Sequence, residues 1–119
     1  MRRAGSGYGD GLLAFPAGHV DRGETPTQCV VREAAEEIGV RIAADALKAD
    51  GVMFRQSQEP RVDFFFAADR WSGEPTIREP HKCTELVWAD PKNLPGDVLD
   101  FVGRAMALTG RYDEFGWDG

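Results

Sequence analysis

The sequence has few cysteines and no long apolar stretch, and each shortage excludes a class of protein. Cys29 and Cys83 lack the spacing of a metal site and are too few for a disulfide framework. We expect both to be reduced thiols in or near the core. No apolar run approaches the length of a membrane span, and no charged-then-apolar leader is recognisable. These features predict a cytoplasmic protein with no membrane partner.

Positive charge is also scarce. The 119 residues carry 14 Lys+Arg against 20 Asp+Glu, a formal net charge of −6, and the basic residues are scattered singly apart from Arg2-Arg3. Such a surface repels nucleic-acid backbones, so we expect no nucleic-acid polymer as a partner. An acidic protein that acts on phosphates needs a local reversal of sign, and a divalent cation held by carboxylates supplies one.

Length and patterning indicate a single α/β domain over residues 1–119. The chain is long enough for one hydrophobic core and too short for two. A second amphipathic helix is predicted over residues 97–108, and the run 62–66 is too apolar for an exposed edge strand. Mixed strands with two helices favour an α/β sandwich. Strands are predicted over residues 12–15, 47–55, 61–68 and 84–89, with a hairpin turn at 57–60.

The clearest local prediction is a helix between Thr25 and Gly39. Thr25 can cap the helix, Pro26 suits the first helical position, and Gln28 completes a capping box. Gly39 is a typical helix stop. The boundaries of this helix are therefore specified by neighbouring residues alone.

Three glutamates of this helix, Glu33, Glu36 and Glu37, lie at offsets of three and four residues on one face. Like charges at these offsets repel, no lysine sits at a pairing offset, and Arg32 is the only nearby cation. Two interpretations are open. The helix either presents an exposed acidic face, or it offers oxygen ligands to a hard cation that converts the repulsion into binding.

The residues in front of the helix favour the second interpretation. Gly18, five residues, Glu24, seven residues, and then the run Arg32-Glu33-Ala34-Ala35-Glu36-Glu37-Ile38-Gly39-Val40 resemble the Nudix box of the Nudix hydrolase family. All seven specified positions match, which at roughly 5–10% usage per letter occurs by chance on the order of once in 10⁸ starts. Further similarity to MutT-like members extends through residues 7–11, 15–19 and 90–95.

The resemblance implies a Nudix-type α/β/α sandwich with a mixed sheet, and a Mg²⁺-dependent site in which Mn²⁺ is an alternative. Glu36 and Glu37 would ligate the metal, and Glu33 would be a further ligand or the base that activates water. The backbone carbonyl of Ala17 would also face the metal. Arg32 would pair with Glu24 and hold the loop against the helix.

Four further residues are candidates on weaker grounds. Glu79 resembles the late-loop carboxylate that family members often add to the metal site, but an exposed loop glutamate is an equal interpretation. Gly18 and His19 would approach the phosphates, although an ordinary loop histidine is an alternative interpretation of His19. Lys82, close to Glu79, could meet a phosphate or a base. The late aromatic residues either dock the C-terminus or stack on a base.

The chain departs from the family at its start. Only Met1-Arg2-Arg3 stands where Nudix folds place a first strand ending in two basic residues. We therefore expect that strand to be missing or truncated. An unpaired sheet edge would follow, which a homodimer could cover.

The expected substrate is a nucleotide. Residues 50–58 lack the proline of family branches acting on ADP-ribose and the tyrosine of those acting on dinucleoside polyphosphates. This favours a nucleoside triphosphate, hydrolysed to a nucleoside monophosphate and pyrophosphate. The alternatives are another nucleotide-linked diphosphate, of the nucleotide-sugar or ADP-ribose type, and a non-catalytic nucleotide sensor, although sensors typically lose the box glutamates that are intact here.

Overall fold

A computed structural model describes residues 1–117, which form two small sheets, two helices and one 3-10 turn. The elements are β1 (Arg2–Arg3), α1 (Pro26–Ile38), the 3-10 turn (Ala44–Ala46), β2 (Leu47–Arg55), β3 (Arg61–Ala68), β4 (Cys83–Glu85), α2 (Val102–Met106) and β5 (Arg111–Phe115).

The α1 helix has the predicted boundaries because its capping residues act as expected. The Thr25 hydroxyl accepts a hydrogen bond from the Gln28 N–H at 3.1 Å, and the Gln28 side chain accepts one from the Thr25 N–H at 2.9 Å. At the other end Gly39 adopts φ 72°, in the left-handed region, and its N–H reaches the Ala35 carbonyl at 3.2 Å. Both ends of α1 are therefore confirmed.

The larger sheet has the strand order β3-β2-β5. The predicted β2–β3 hairpin is confirmed, with antiparallel register from Leu47 opposite Ala68 to Arg55 opposite Arg61. The expectation that residues 62–66 avoid a sheet edge is wrong. In the described sheet β3 is an outer strand, and Val62 and Phe64 are 52% and 48% exposed. Phe65, which points to the opposite face, packs against the core instead.

The parallel strand β5 was not predicted. Residues 111–115 pair with β2 from Gly51 opposite Arg111 to Arg55 opposite Phe115. Beyond β5 the Trp117 ring stacks on Phe54 with centroids 5.0 Å apart, and its indole N–H donates to the Phe54 carbonyl at 3.0 Å. Trp117 therefore packs this end of the described chain against β2. This is one of the two roles predicted for the late aromatic residues.

The smaller sheet contains the short first strand. Arg2 and Arg3 form β1, which is only two residues long, and pair antiparallel with Glu85 and Cys83 of β4. The strand predicted over residues 84–89 was too long, because a two-residue partner offers hydrogen bonds to only a few residues. The observed strand is Cys83–Glu85.

Two other predicted elements are also shorter than expected. The strand predicted over 12–15 is reduced to bridges from Leu13 to Arg2 and to Val98. The helix predicted over 97–108 is Val102–Met106. The Leu13 N–H donates to the Asp97 carbonyl, and the Leu99 N–H donates to the Leu13 carbonyl, both at 2.9 Å. Because Leu13 bonds to the Asp97 carbonyl and the Leu99 N–H, these backbone groups are not free to form the first turn of a helix.

The core lies between β2 and α2. Met53 on β2 is fully buried and belongs to one cluster with Val102 and Ala105 of α2. Phe15, just before the loop that leads to α1, packs edge-on against Phe65 with ring centroids 5.7 Å apart. Both cysteines are buried free thiols, as expected. No helix in residues 1–117 is long and apolar enough to cross a membrane.

Candidate active site

Arg32 fastens the loop of residues 16–24 to the middle of α1. Its guanidinium makes two hydrogen bonds to Glu24, from Nε to Oε2 at 2.8 Å and from Nη2 to Oε1 at 2.9 Å. The same Nη2 donates to the backbone carbonyl of His19 at 3.1 Å. The pairing of Arg32 with Glu24 is therefore present, in the two-point geometry that an arginine fork allows and a lysine does not.

This pairing keeps both partners charged. Hydrogen bonds from Arg32, and secondarily from the Asp21 N–H, lower the pKa of Glu24 to about 2. The Glu24 carboxylate, followed by that of Glu33, raises the pKa of Arg32 above its ordinary value. The pair is therefore a permanent ionic clamp over the whole range in which the protein would be assayed.

Arg32 also holds two of the three helix glutamates. Its Nη1 lies 2.6 Å from Glu33 Oε1 and 3.3 Å from Glu36 Oε2. The Glu33 side chain is 16% exposed and that of Glu36 is 55% exposed. The repulsion that the sequence predicts along this face is thus relieved for these two carboxylates by the cation at the start of the run.

Glu37 is in a different environment. It is buried, with 7% exposure, although the helix pattern places it with Glu33 and Glu36. Its Oε1 accepts a hydrogen bond from the Ala17 N–H at 3.1 Å, and no arginine or lysine of residues 1–117 lies within 4.0 Å of its carboxylate. Burial, then the neighbouring Glu33, raises the pKa of Glu37 to about 8. The Glu37 anion therefore has no positive charge at ion-pair distance within residues 1–117 to stabilise it, and the carboxyl group keeps its proton up to about pH 8 unless a cation binds.

Gly18 makes the close approach of loop and helix sterically feasible. A Cβ atom at this position would overlap the carboxylate of Glu33. Any other residue would push the loop away from α1. The first glycine of the box is thus required by the packing of backbone against a glutamate.

Most of the candidate residues line one cavity of about 410 Å³. Its lining includes the predicted metal and phosphate groups Ala17, Gly18, His19, Glu33, Glu37, Glu79 and Lys82. Glu36 is not part of the lining. Glu24 and Arg32 are not in the lining either, but Arg32 contacts the lining residues His19 and Glu33. Lys82 Nζ lies 3.6 Å from the Glu79 carboxylate, so the cation and the extra carboxylate are neighbours.

Arg3 also lines this cavity and was not selected from the sequence. Its side chain is held by hydrogen bonds from Nε to the Tyr8 carbonyl at 2.8 Å and from Nη2 to the Ser6 hydroxyl at 3.2 Å. The available signal was the basic pair Arg2-Arg3, which stands where the family places two basic residues. Arg2 points elsewhere, to Glu85 and Asp97.

The donor set of the cavity suits a hard divalent cation. Glu33, Glu37, Glu79 and the Ala17 backbone supply oxygen, the ligand atom that Mg²⁺ and Mn²⁺ prefer. In the described part of the chain the carboxylates do not converge on a single point, because Arg32 draws Glu33 and Glu36 toward itself. A bound cation would supply the positive partner that an ionised Glu37 lacks within residues 1–117, and would favour the loss of its proton.

Comparisons with known proteins agree with this geometry. The family model for the NUDIX domain matches residues 1–107. The 8-oxo-dGTP diphosphatase of Escherichia coli K12 is 32% identical over 96 residues, which are 79% of this chain and 74% of that protein. The 8-oxo-dGTP diphosphatase of Haemophilus influenzae is 42% identical over 67 residues, 56% of this chain. That match spans 48% of the Haemophilus protein, about half its length.

The fold itself is shared with a solved structure. The crystal structure of a MutT NUDIX hydrolase from Burkholderia pseudomallei has a TM-score of 0.76 and is 26% identical, covering 83% of this chain and 78% of that one. This similarity confirms the predicted Nudix-type fold. Because the domain match extends over most of the sequence and Gly18, Glu33 and Glu37 of the box line one cavity, the chain belongs to the Nudix hydrolase family and is MutT-like.

Proposed function

We propose that the chain is a Mg²⁺-dependent pyrophosphohydrolase that cuts a nucleoside triphosphate into a nucleoside monophosphate and pyrophosphate. The observation that carries this proposal is Glu37, a buried carboxyl in the wall of the 410 Å³ cavity that has no cationic partner within residues 1–117. Arg3, His19 and Lys82 line the same cavity. The site therefore combines oxygen ligands for a metal with cationic and polar groups for phosphate oxygens.

The metal ligands in this proposal are Glu36, Glu37, Glu79 and the Ala17 backbone, with Glu33 as a further candidate. Glu36 is 55% exposed and is held by Arg32 at 3.3 Å, so it can turn toward the cavity at low cost. A bound Mg²⁺ or Mn²⁺ would neutralise phosphate charge and lower the pKa of its bound water.

The remaining groups have roles in positioning and proton transfer. Glu33 either completes the ligand set or takes the proton of the water that attacks phosphorus. Gly18 allows the loop backbone to approach Glu33, and the Arg32–Glu24 clamp fixes that loop. His19 and Lys82 would bind the phosphate oxygens. Catalysis of this kind depends on positioning and on charge stabilisation more than on covalent chemistry.

The substrate class is supported by the relatives. Two similar proteins are 8-oxo-dGTP diphosphatases, which favours a purine deoxynucleoside triphosphate for this chain as well. Other nucleotide-linked diphosphates remain alternatives for the panel described below. A homodimer stays a prediction, which light scattering on the same sample would test.

The test is product release from a nucleotide panel in Mg²⁺, with inorganic phosphate and pyrophosphate read separately. We expect monophosphate and pyrophosphate in equal amounts from one triphosphate, and loss of turnover in Glu36→Gln and in excess chelator. Glu74→Gln, which alters an exposed loop glutamate, is the matched control and should leave turnover unchanged.

Two results would contradict the proposal. Release of inorganic phosphate without pyrophosphate would show that another anhydride bond is cut. No turnover in a folded chain that binds Mg²⁺ would favour a nucleotide sensor.

A further inference from the structure

Arg61 lies just beyond the candidate cavity, in contact with one of its lining residues. It is the first residue of β3, and its Nη1 lies 2.5 Å from Nε2 of His19, which lines the cavity. A guanidinium can only donate hydrogen bonds, so Arg61 is the donor in this contact. Arg61 and His19 thus form a side-chain pair at the cavity rim.

The charge of Arg61 is not used to hold the hairpin together. Arg55, directly opposite Arg61 in the strand register, pairs with Asp63 at 2.7 Å. Arg70, just after β3, pairs with Asp45 at 3.1 Å and Asp69 at 3.0 Å. No carboxylate of residues 1–117 lies within 4.0 Å of the Arg61 guanidinium.

The placement of Arg61 carries an electrostatic cost. Like charges directly opposite one another on paired strands are destabilising, and here two arginines occupy opposed positions. The structure gives Arg61 no compensating anion within ion-pair distance. A cation in such a position, beside a cavity that already contains phosphate-binding candidates, is well suited to an anionic ligand.

The backbone of Gly18 and His19 connects the candidate metal ligands to Arg61. Gly18 packs against the Glu33 carboxylate, and His19, the next residue, has its carbonyl fixed by Arg32 at 3.1 Å. The His19 side chain then reaches Arg61. A phosphate chain that lies along this path would have one end at the carboxylates and its other end at the His19–Arg61 pair.

We propose that Arg61, together with His19, binds the terminal phosphate of a nucleoside triphosphate. This inference rests on the function proposed above and extends it to a specificity determinant. An incoming phosphate oxygen replaces His19 Nε2 as the acceptor of the Arg61 N–H, and the guanidinium fork matches a phosphate at two points. A nucleoside diphosphate, which lacks that phosphate, would not gain this contact.

The experiment compares Arg61→Gln and Arg61→Lys with wild type, using dGTP as substrate and dGDP as competitive inhibitor. We expect Arg61→Gln to raise KM for dGTP by about tenfold, the effect of losing a charge-assisted hydrogen bond, and to leave kcat within about twofold. Arg61→Lys should recover part of the loss. Inhibition by dGDP should change by less than about twofold. Arg70→Gln, at the other end of β3, is the matched control.

Each outcome decides the inference. An unchanged KM for dGTP in Arg61→Gln, or an equal weakening of dGTP and dGDP, overturns it. If the wild-type protein hydrolyses no triphosphate, the proposed function fails by itself. Calorimetric binding of inorganic tripolyphosphate with Mg²⁺ then tests Arg61 directly, and equal affinity in wild type and Arg61→Gln overturns the inference. If Arg61→Gln does not fold, His19→Gln should show the same selective rise in KM.

Discussion

The Nudix box of residues 18–40 holds Glu24, toward its outer end, and Glu37, toward its inner end, in opposite electrostatic environments. At the outer end Glu24 is gripped by Arg32 through two hydrogen bonds, and its pKa falls to about 2. At the inner end Glu37 is buried with no arginine or lysine of the described residues beside its carboxylate, and burial raises its pKa to about 8. The same residue type in one motif is therefore stabilised as an anion at one end and destabilised as an anion at the other.

This difference separates a structural role from a chemical one. Arg32 already contacts Glu24, Glu33 and Glu36, so its guanidinium has little capacity left for the inner end. Glu37 keeps its proton up to about pH 8, and an added cation would stabilise its anion instead. Removing groups from either end should accordingly change different measurable properties.

The largest effect is expected from Glu37→Gln. Glutamine keeps the hydrogen bond from the Ala17 N–H and removes the ionisable group, so the fold should be retained while the metal loses a ligand. We expect kcat to fall on the order of 10²–10³-fold, as when another transition-state charge stabiliser is removed. Added Mg²⁺ should raise Tm in wild type and much less in the variant.

Glu74→Gln is the control for both readouts of the Glu37 experiment. A Glu37→Gln protein with wild-type kcat, or with an undiminished Mg²⁺-induced rise in Tm, would show that the inner carboxylate is not a ligand.

A smaller effect is expected from Arg32→Lys at the outer end. Lysine keeps the positive charge, but it cannot bridge Glu24 at two points while also reaching the His19 carbonyl. The loop should loosen from α1, with a lower Tm and roughly a tenfold loss of kcat/KM from misplaced groups. Arg70→Lys, in an exposed ion pair, should show neither change, and equal behaviour of the two variants would rule out a clamp.

The smallest effect is expected on the pH dependence of the free energy of unfolding, measured in the presence of a metal chelator. Glu24, whose pKa is lowered to about 2, contributes stability above about pH 4.5, and this contribution is lost as the pH falls toward 2. Glu37, whose pKa is raised to about 8, binds a proton in the folded state that the unfolded state has released. Its contribution therefore declines as the pH rises from about 4.5 toward 8.

Difference curves against wild type should consequently change at opposite ends of the pH range. Glu24→Gln should reduce the loss of unfolding free energy below about pH 4.5. Glu37→Gln should reduce the loss of unfolding free energy between about pH 4.5 and 8. Denaturant melts at a series of pH values measure both. If both variants change the free energy of unfolding in the same pH range, the proposed difference between Glu24 and Glu37 is wrong.

The elements that could be predicted from the sequence are those whose partners lie close along the chain. The α1 helix is bounded by Thr25, Gln28 and Gly39, which bond to groups within a few residues of themselves. The β2–β3 hairpin likewise closes over a short turn. The Glu24–Arg32 pair, predicted through the family resemblance, also joins residues only eight positions apart.

The errors arose where distant segments compete for the same backbone groups. Residues 97–99 would continue the second helix by pattern, but Leu13 takes their hydrogen bonds. β4 ends early because β1 is two residues long. β5 joins β2 from a segment more than 50 residues away, which no local pattern in residues 111–115 indicates.

By itself the sequence determined the family, the α1 helix and the set of box glutamates, because these depend on residue types at fixed spacing. Only the tertiary structure decided which glutamate is buried and which is neutralised. It also brought Arg3 and Glu79 to the same cavity and set Arg61 against its rim. The physical reason is that burial and charge pairing depend on which groups the fold brings together. The spacing of residues along α1 places Glu33 and Glu37 on the same face, so it cannot distinguish their environments.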